Sequence, residues 1–256
     1  MIFLVEIKLN RTIVNTFKIL DAIANSSNPI GVSKISKIST LPKTTVFRIT
    51  ETLAALNLLR ENKSQEYKLG NGFLKYVDQT KSQNDLVDVA KPFLEKFASK
   101  IKETINLGIL YNQEVIYLTS VQGERFTLQV NLLPVAPLYC SSLGKIFLST
   151  FSDKEFKDYI SRANLKRNTV NTIVNADKLR NEINKVKEER LAYDREEVEY
   201  GLTCIAHPIE KGSNVIAAIS VSGPSSRLKA RGIDKIVQQL KKTAEEIDQA
   251  ISKNTL

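Results

Sequence analysis

The chain has 256 residues, of which 42% are hydrophobic and 25% charged, a composition typical of soluble globular proteins and long enough for two domains. Lys and Arg number 37 against 28 Asp and Glu, so the formal net charge is +9 and an anionic partner is expected. Two cysteines and one histidine exclude a disulfide framework and a structural zinc cluster; we therefore expect a reducing cytoplasm and no metal or cofactor.

The chain begins with five apolar residues, but Glu6 and Lys8 interrupt them before a membrane span or a secretory signal is complete. Whether residues 1–9 belong to the fold stays open. An early helix is predicted next, because four apolar residues at helical spacing would close a three-helix core: Ile13, Phe17, Leu20 and Ala24.

A turn at residues 28–31 precedes a second, short helix, for which Ser33 is a plausible N-cap and Ile35 and Ile38 form the buried side. Pro42 marks the start of a third helix, because a proline in the first turn leaves no intrahelical bond unmade. This helix has an apolar stripe for packing, made of Val46, Ile49, Leu53 and Leu56. Its opposite side carries Thr44, Phe47, Arg48 and Glu51.

Two short candidate strands, 58–60 and 67–69, flank a polar turn at 61–66. Three helices and a two-stranded wing are typical of a winged helix-turn-helix, whose second motif helix enters the major groove of DNA. Residues 1–83 contain 12 Lys and Arg against 6 Asp and Glu, and no acidic residue lies between Ala22 and Thr50. Phosphate attraction of this kind favours double-stranded DNA as the partner, although a charge excess alone is also typical of a solvated surface.

The predicted DNA-binding residues are Ser33, Lys34, Lys43, Thr44, Thr45, Phe47, Arg48, Lys63 and Lys68. Two of them have an alternative structural explanation. Thr45 could cap or pack the helix, and Arg48 could pair with Glu51 one turn away, although such a pair contributes only about 0.2 to 0.5 kcal/mol.

The rest of the chain predicts an α+β sensor-like domain, because strand-like and helical patterns occur in mixed order. A helical stripe runs from Leu86 to Phe97 and a long one closes the chain from Ile233 to Ile251. Strands are predicted at 104–111, 115–121, 126–130, 203–209 and 215–221. The expected organisation is a winged helix-turn-helix over 1–69, a linker over 70–83 with a helix near 73–81, and a second domain over 84–256.

An enzyme is the rival class. Ser142 and Lys145 formally match the Ser-x-x-Lys motif of penicillin-recognising hydrolases, but its partner motifs are missing. Cys204 and His207 could form a thiol dyad, yet residues three apart on a strand point to opposite faces. We therefore expect no enzyme, with a small-molecule hydrolase using Ser142 and Lys145, or Cys204, as the alternative.

Four ordered blocks of sequence resemble the IclR family of transcriptional regulators over residues 10 to 251. The blocks are the recognition-helix run 41–48, the wing end 67–70, the run 142–145, and the run 193–206 with 218–224 after it. The resemblance implies a ligand-responsive regulator, a repressor in our prediction, with a winged helix-turn-helix and a GAF-like effector-binding domain that assembles as a homodimer or dimer of dimers.

It also implies a small organic effector, often a carboxylic or aromatic acid. The effector-binding positions carried over are Leu128, Ala136, Ser142, Leu143, Asp194, Cys204, Ser220 and Ser222. Helix-start amides near Ser142 could hold a carboxylate, whereas Asp194 must be protonated or bind a ligand hydroxyl. Cys204 could instead be a small buried hydrophobe, and Ser220 and Ser222 could lie on an exposed sheet face. Phe47 replaces a histidine common in the family, which favours an apolar contact such as a thymine methyl.

Overall fold

The computed structural model describes residues 10–76, 85–123 and 135–253. Contacts divide the chain into two compact units, Met1–Gln83 and Asn84–Leu256. Residues 74–76 are helical and the rest of the predicted linker helix lies outside the described residues, so the boundary at residue 69 and the linker stay predictions. None of the described helices is long and apolar enough to cross a membrane.

The first unit is a winged helix-turn-helix, as predicted. Its elements are α1 (Arg11–Ala24), β1 (Ile30–Gly31), α2 (Val32–Ser39), α3 (Lys43–Ala55), β2 (Leu59–Glu61), β3 (Glu66–Leu69) and a 3-10 turn (Asn71–Phe73). The three strands form an antiparallel sheet in the order β1-β3-β2. β1 was not predicted; Ile30 pairs with Tyr67, so the segment expected to be only a turn also supports the wing.

The core of this unit is built from α1, α2, α3 and the wing, but of the stripe predicted for α1 only Leu20 packs against this core. Ile19, Ala22 and Ile23 are buried, whereas Ile13 and Phe17 are more than half exposed. Phe17 precedes Ile19 by two residues, about 200° around the helix, and therefore points away from the core. Ile38 and Leu56 are also more than half exposed, because they lie near or beyond the last turns of α2 and α3.

The second unit contains one six-stranded sheet. Its elements are α4 (Asp85–Ile101), β4 (Thr104–Tyr111), β5 (Glu114–Val121), β6 (Val135–Pro137), α5 (Ser142–Leu148), α6 (Asp153–Arg162), α7 (Ala176–Glu189), β7 (Ala192–Arg195), β8 (Leu202–Lys211), β9 (Asn214–Pro224), α8 (Ser225–Arg231) and α9 (Ile233–Lys253). The strand order is β6-β5-β4-β9-β8-β7, and every pairing is antiparallel. Four predicted strands are confirmed, β6 and β7 were missed, and the predicted strand 126–130 lies outside the described residues.

Both faces of this sheet are covered. On one face α4 and α9 pack on a cluster that includes Ile105, Ile205 and Ile219. On the other face α5, α6 and α7 pack on a cluster that includes Leu143 and Ala218. Since a strand buried on both sides should be apolar throughout, polar side chains inside this sheet mark a site.

Candidate DNA interface and effector site

Helix α3 has one buried and one exposed side, as its sequence predicts. Pro42 occupies the N-cap position, where its carbonyl accepts the first helical bond, from Val46 N at 3.0 Å. Val46 and Leu53 are buried against the core. Phe47, on the other side, is 52% exposed, a large value for an aromatic ring. The exposed side is therefore free to meet a ligand.

The structure places all nine predicted DNA-binding residues on the surface of the first unit. Thr45 is half-buried, in keeping with its packing alternative, and the other eight are exposed: Ser33, Lys34, Lys43, Thr44, Phe47, Arg48, Lys63 and Lys68. They come from the starts of α2 and α3, the exposed side of α3, and the wing.

Arg48 faces α1, not Glu51. A groove of about 320 Å³ beside Arg48 is lined by hydroxyl and amide groups of Thr12, Asn15, Thr44, Thr45 and Thr52. Among the described residues Glu51 makes no ion pair with Arg48, and its Oε1 instead accepts a hydrogen bond from Tyr67 Oη at 3.2 Å. The guanidinium is thus available for a phosphate or a base edge. Sequence reasoning missed the contribution of α1, because the contact depends on how α1 crosses α3.

Asn62 holds the wing turn that presents Lys63. Its Oδ1 accepts from Ser64 N and Glu66 N, both at 2.9 Å, and its Nδ2 donates to Glu66 Oε2 at 3.0 Å. A cavity of about 790 Å³ separates this turn from α2 and α3, and three carboxylates line it, those of Glu51, Glu61 and Glu66. The surface formed by α3 and the wing is therefore basic but also carries acidic groups. A carboxylate repels DNA phosphates and can accept a hydrogen bond from the amino group of cytosine.

In the second unit, strand register gathers four of the predicted effector residues on one face of the sheet. One row of cross-strand neighbours contains Asp194, Cys204, Ser222 and Thr104. The next row contains Ala206, Ser220, Asn106 and Ser120. Residues directly opposite each other on paired strands share a face, and Ala206 and Ala218 place this face under α5.

Asn106 joins three serines of these rows. Its Nδ2 donates to Ser220 Oγ at 3.2 Å and to Ser222 Oγ at 3.0 Å, and its Oδ1 accepts from Ser120 Oγ at 2.6 Å. Asn106, Ser220 and Ser222 are buried. The exposed-face alternative for the two serines is therefore wrong. Asn106 was missed in the sequence, where its only signal is a polar residue at an inward position of an apolar strand.

Asp194 is 1% exposed and uses Oδ1 to hold the turn that follows β7, accepting from Glu197 N at 2.7 Å and Val198 N at 3.3 Å. Burial raises the pKa of Asp194 to about 7, even though these two amides lower it. The carboxyl group is therefore partly protonated near neutral pH.

Helix α5 covers this sheet face. Ser141, not Ser142, is its N-cap: Ser141 Oγ accepts from Gly144 N at 3.1 Å and donates to Pro137 O at 2.6 Å. Ser142 and Leu143 are buried. A Cβ on Gly108 of β4 would lie 3.1 Å from Leu143 Cδ1, so Leu143 rests on the same face as Asn106.

Ala136, on the edge strand β6, is buried in the apolar cluster that includes Leu143 and Val115. Leu128 lies outside the described residues. Of the eight predicted effector residues, the structure thus brings Asp194, Cys204, Ser220 and Ser222 into two adjacent rows and places Leu143 above the sheet.

The residues of the enzyme alternative do not form a catalytic pair within the described part of the chain. The fully buried Lys145 donates to Tyr193 O at 2.8 Å, to Glu197 Oε1 and to Glu182 Oε1 at 3.4 Å. Burial raises the pKa of the Cys204 thiol, which disfavours the nucleophilic thiolate. His207 lies on the opposite face, since Ile205 and Ala206 belong to different clusters and strand residues alternate.

Residues 12–63 match the family described as the IclR helix-turn-helix domain, and residues 78–249 match the bacterial transcriptional regulator IclR C-terminal family. An uncharacterized HTH-type transcriptional regulator from Haemophilus influenzae is 30% identical over 248 residues, covering 93% of this chain and 91% of that protein. The HTH-type transcriptional repressor AllR of Escherichia coli is 29% identical over 239 residues, covering 91% and 87%. The crystal structure of an IclR homologue from Microbacterium hydrocarbonoxydans, complexed with 4-hydroxybenzoate, aligns with a TM-score of 0.72 at 20% identity, covering 94% and 98%.

Proposed function

The chain belongs to the IclR family of bacterial transcriptional regulators and is a ligand-responsive DNA-binding regulator, and we propose how its two units divide that function. The first unit reads the operator through α3 and the wing. The second unit binds a small organic effector on the sheet face beneath α5. The regulator acts in the cytoplasm as a homodimer or a dimer of dimers. It acts as a repressor, as does its relative AllR from Escherichia coli according to that protein's name.

The exposed side of α3 supports the DNA-reading role. Lys43 and Thr44 at the helix start are suited to phosphate contacts, and Arg48 is suited to a phosphate or to a guanine edge. Phe47 supplies an apolar surface that fits a thymine methyl group. Lys63 and Lys68 on the wing add phosphate contacts, which fix the register of the helix without reading sequence.

The polar rows on the sheet support the effector-binding role, and they are the observation on which this assignment depends. Hydroxyl, thiol and carboxyl groups of Ser220, Ser222, Cys204 and Asp194 are buried together beside the polar side chains of Asn106 and Thr104. Buried polar groups are costly unless they are bonded, and a cluster of them is typical of a binding site. A carboxylic or aromatic acid is the proposed effector class, and the 4-hydroxybenzoate complex of the Microbacterium homologue is consistent with it.

Coupling between the units is proposed to follow a shift in population. An effector that binds one arrangement of the dimer more tightly makes that arrangement dominant, and the arrangement sets the spacing of the two recognition helices. Operator half-sites separated by about one turn of DNA, or a multiple of it, suit two such helices.

The DNA-reading role is tested with the chain's own promoter region and a random duplex of equal length, at two salt concentrations. Arg48→Ala should weaken specific binding by about 1 to 3 kcal/mol, while Lys18→Ala, an exposed lysine on α1, should leave specificity unchanged. If Arg48→Ala and Lys18→Ala discriminate between the two duplexes equally well, α3 does not carry the recognition.

The effector role is tested by a thermal-shift screen of small organic acids, since a ligand bound only by the folded state raises its melting temperature. Asp194→Ala and Ser222→Ala should abolish the shift and the change in DNA binding that accompanies it. Ser226→Ala, at an exposed serine of α8, serves as the control. A parent-like response in both pocket variants would refute the assignment of this sheet face.

A further inference from the structure

Asn106 stands between the two serines of the proposed effector site, and its amide has no N–H group left to donate to a ligand. Both N–H groups of Nδ2 are used, one on Ser220 Oγ at 3.2 Å and one on Ser222 Oγ at 3.0 Å. The carbonyl Oδ1 accepts from Ser120 Oγ at 2.6 Å. The side chain is completely buried, so water does not compete for these bonds.

These bonds fix which way the serine hydroxyls point. A hydroxyl group has one proton to donate and two lone pairs to accept with. Because Oγ of Ser220 and of Ser222 each accept from Asn106, their protons are directed elsewhere. Among the described residues no oxygen or nitrogen accepts the hydroxyl proton of Ser220 or of Ser222. The sulfur of Cys204 lies next to Ser222 but is a weak acceptor, so an oxygen atom of a ligand would take its place.

We infer that Asn106 is a positioning residue that turns Ser220 and Ser222 into paired hydrogen-bond donors, and thereby makes the site select a ligand with a carboxylate or carbonyl group over one with an amine. The inference rests on the proposed effector role of this sheet face. Two donors at i and i+2 on one strand lie side by side, an arrangement that matches the two oxygens of a carboxylate.

The groups around the serines are compatible with an acidic ligand. Asp194, in the same row as Ser222, is the carboxyl group that would repel a carboxylate, but burial raises its pKa to about 7 and its protonated form donates. The thiol of Cys204 and the phenol of Tyr117 stay uncharged, because burial raises the pKa of both. An ammonium ligand would instead meet the protons of both hydroxyl groups.

The test compares two carboxylates with amines of similar shape: acetate with ethylamine, and 4-hydroxybenzoate with 4-hydroxybenzylamine. Affinity is measured by calorimetry on the full chain. Asn106→Leu keeps the volume but has neither donor nor acceptor, and Asn106→Asp offers acceptors that would turn the hydroxyl protons away from the ligand. Ser226→Ala is the control, since Ser226 is an exposed serine of α8 outside the two polar rows.

The parent should prefer a carboxylate over its amine. Both Asn106 variants should bind that carboxylate at least about tenfold more weakly, because hydrogen bonds to a charged group are lost. Ser226→Ala should stay within about threefold of the parent, and the ratio of carboxylate to amine affinity should fall only in the Asn106 variants. A merely structural role for Asn106 would not move that ratio. If Asn106→Leu does not fold, Asn106→Asp decides.

Parent-like carboxylate affinity in a folded Asn106 variant would overturn the inference, and so would a parent that prefers the amines. If that affinity is still lost in Asp194→Ala and Ser222→Ala, the proposed effector role survives without the role given to Asn106. If the parent binds none of the four probes, both the acid class proposed for the effector and the inference fail.

Discussion

Lys145 is the largest fully buried charged side chain in the described part of the second unit, and its removal should destabilise that unit strongly. Its side chain is 0% exposed, and the side chain of Glu197, its main partner, is 6% exposed. Glu197 Oε2 is buried and has no hydrogen-bond partner among the residues that the structure describes. Lys145→Met would keep most of the volume but leave Glu197 without its cation and Tyr193 O without its donor.

Breaking a buried ion pair on one side costs about 3 to 5 kcal/mol, a large part of the roughly 5 to 15 kcal/mol by which domains are stable. Burial raises the pKa of Glu197 and Lys145 lowers it, so the pKa rises further in Lys145→Met. The folded variant then holds a proton that the unfolded chain releases. Relative to the parent, the variant should lose least stability below about pH 4, under the ordinary pKa of a glutamate, and should lose more as the pH rises through the folded pKa of Glu197.

The assay is urea unfolding followed by circular dichroism at several pH values, with the transition of the second unit analysed separately. Lys178→Met, at an exposed lysine of α7, is the matched control and should cost less than about 1 kcal/mol. The double variant Lys145→Met with Glu197→Leu should recover most of the loss, because neither charge remains. A single variant as stable as the control, or a double variant no better than the single one, would refute the reasoning.

Three further predictions concern the two sites. Replacing the operator thymine that Phe47 contacts by deoxyuridine should lower the parent's affinity for the operator about fourfold, since one methyl group contributes about 0.8 kcal/mol. The same replacement should not change the affinity of Phe47→Ala. Burial raises the pKa of Asp194 to about 7, so protonation of this carboxyl group stabilises the folded parent fully below about pH 4, and that stabilisation is lost as the pH rises to about 7. Because Asp194→Asn does not titrate, its free energy of unfolding, measured by chemical denaturation, should change less with pH over this window. Buried Cys140 and Cys204 have raised pKa values, so a thiol-reactive dye should label them slowly in the folded protein and rapidly in urea; fast labelling of the native state would contradict this.

Local patterns in the sequence were sufficient for elements whose signal lies within one segment. The apolar stripe of α3, the wing strands and strands β4, β5, β8 and β9 all follow from periodicity and turn residues. β7 was missed because four residues, Ala192–Arg195, are too short for alternation to show. The prediction of which face α1 buries was wrong because the sequence of α1 has two apolar stripes at helical spacing. Packing against α2 and the wing decides which of the two is buried.

For the proposed effector site, the sequence predicts a set of residues but not how the fold arranges them. Asn106 and Ser220 are separated by 114 positions, and their contact depends on the register of β4 against β9. The burial of Lys145 against Glu197 depends likewise on where α5 sits above the turn after β7. A sequence pattern gives the face on which a side chain lies, whereas its partners are fixed only by the tertiary fold.

The pairing of β4 with β9 also has a consequence for partial chains. β9 is the last strand to be synthesised, yet it lies in the middle of the sheet and contributes Ser220 and Ser222. A polypeptide that stops before residue 214, through premature termination or proteolytic cleavage, would retain the segment that reads DNA while its sheet is missing the central strand. Such a fragment would lose its response to the effector completely, not partly. Truncations of different length before residue 214 would therefore not produce regulators of graded effector sensitivity.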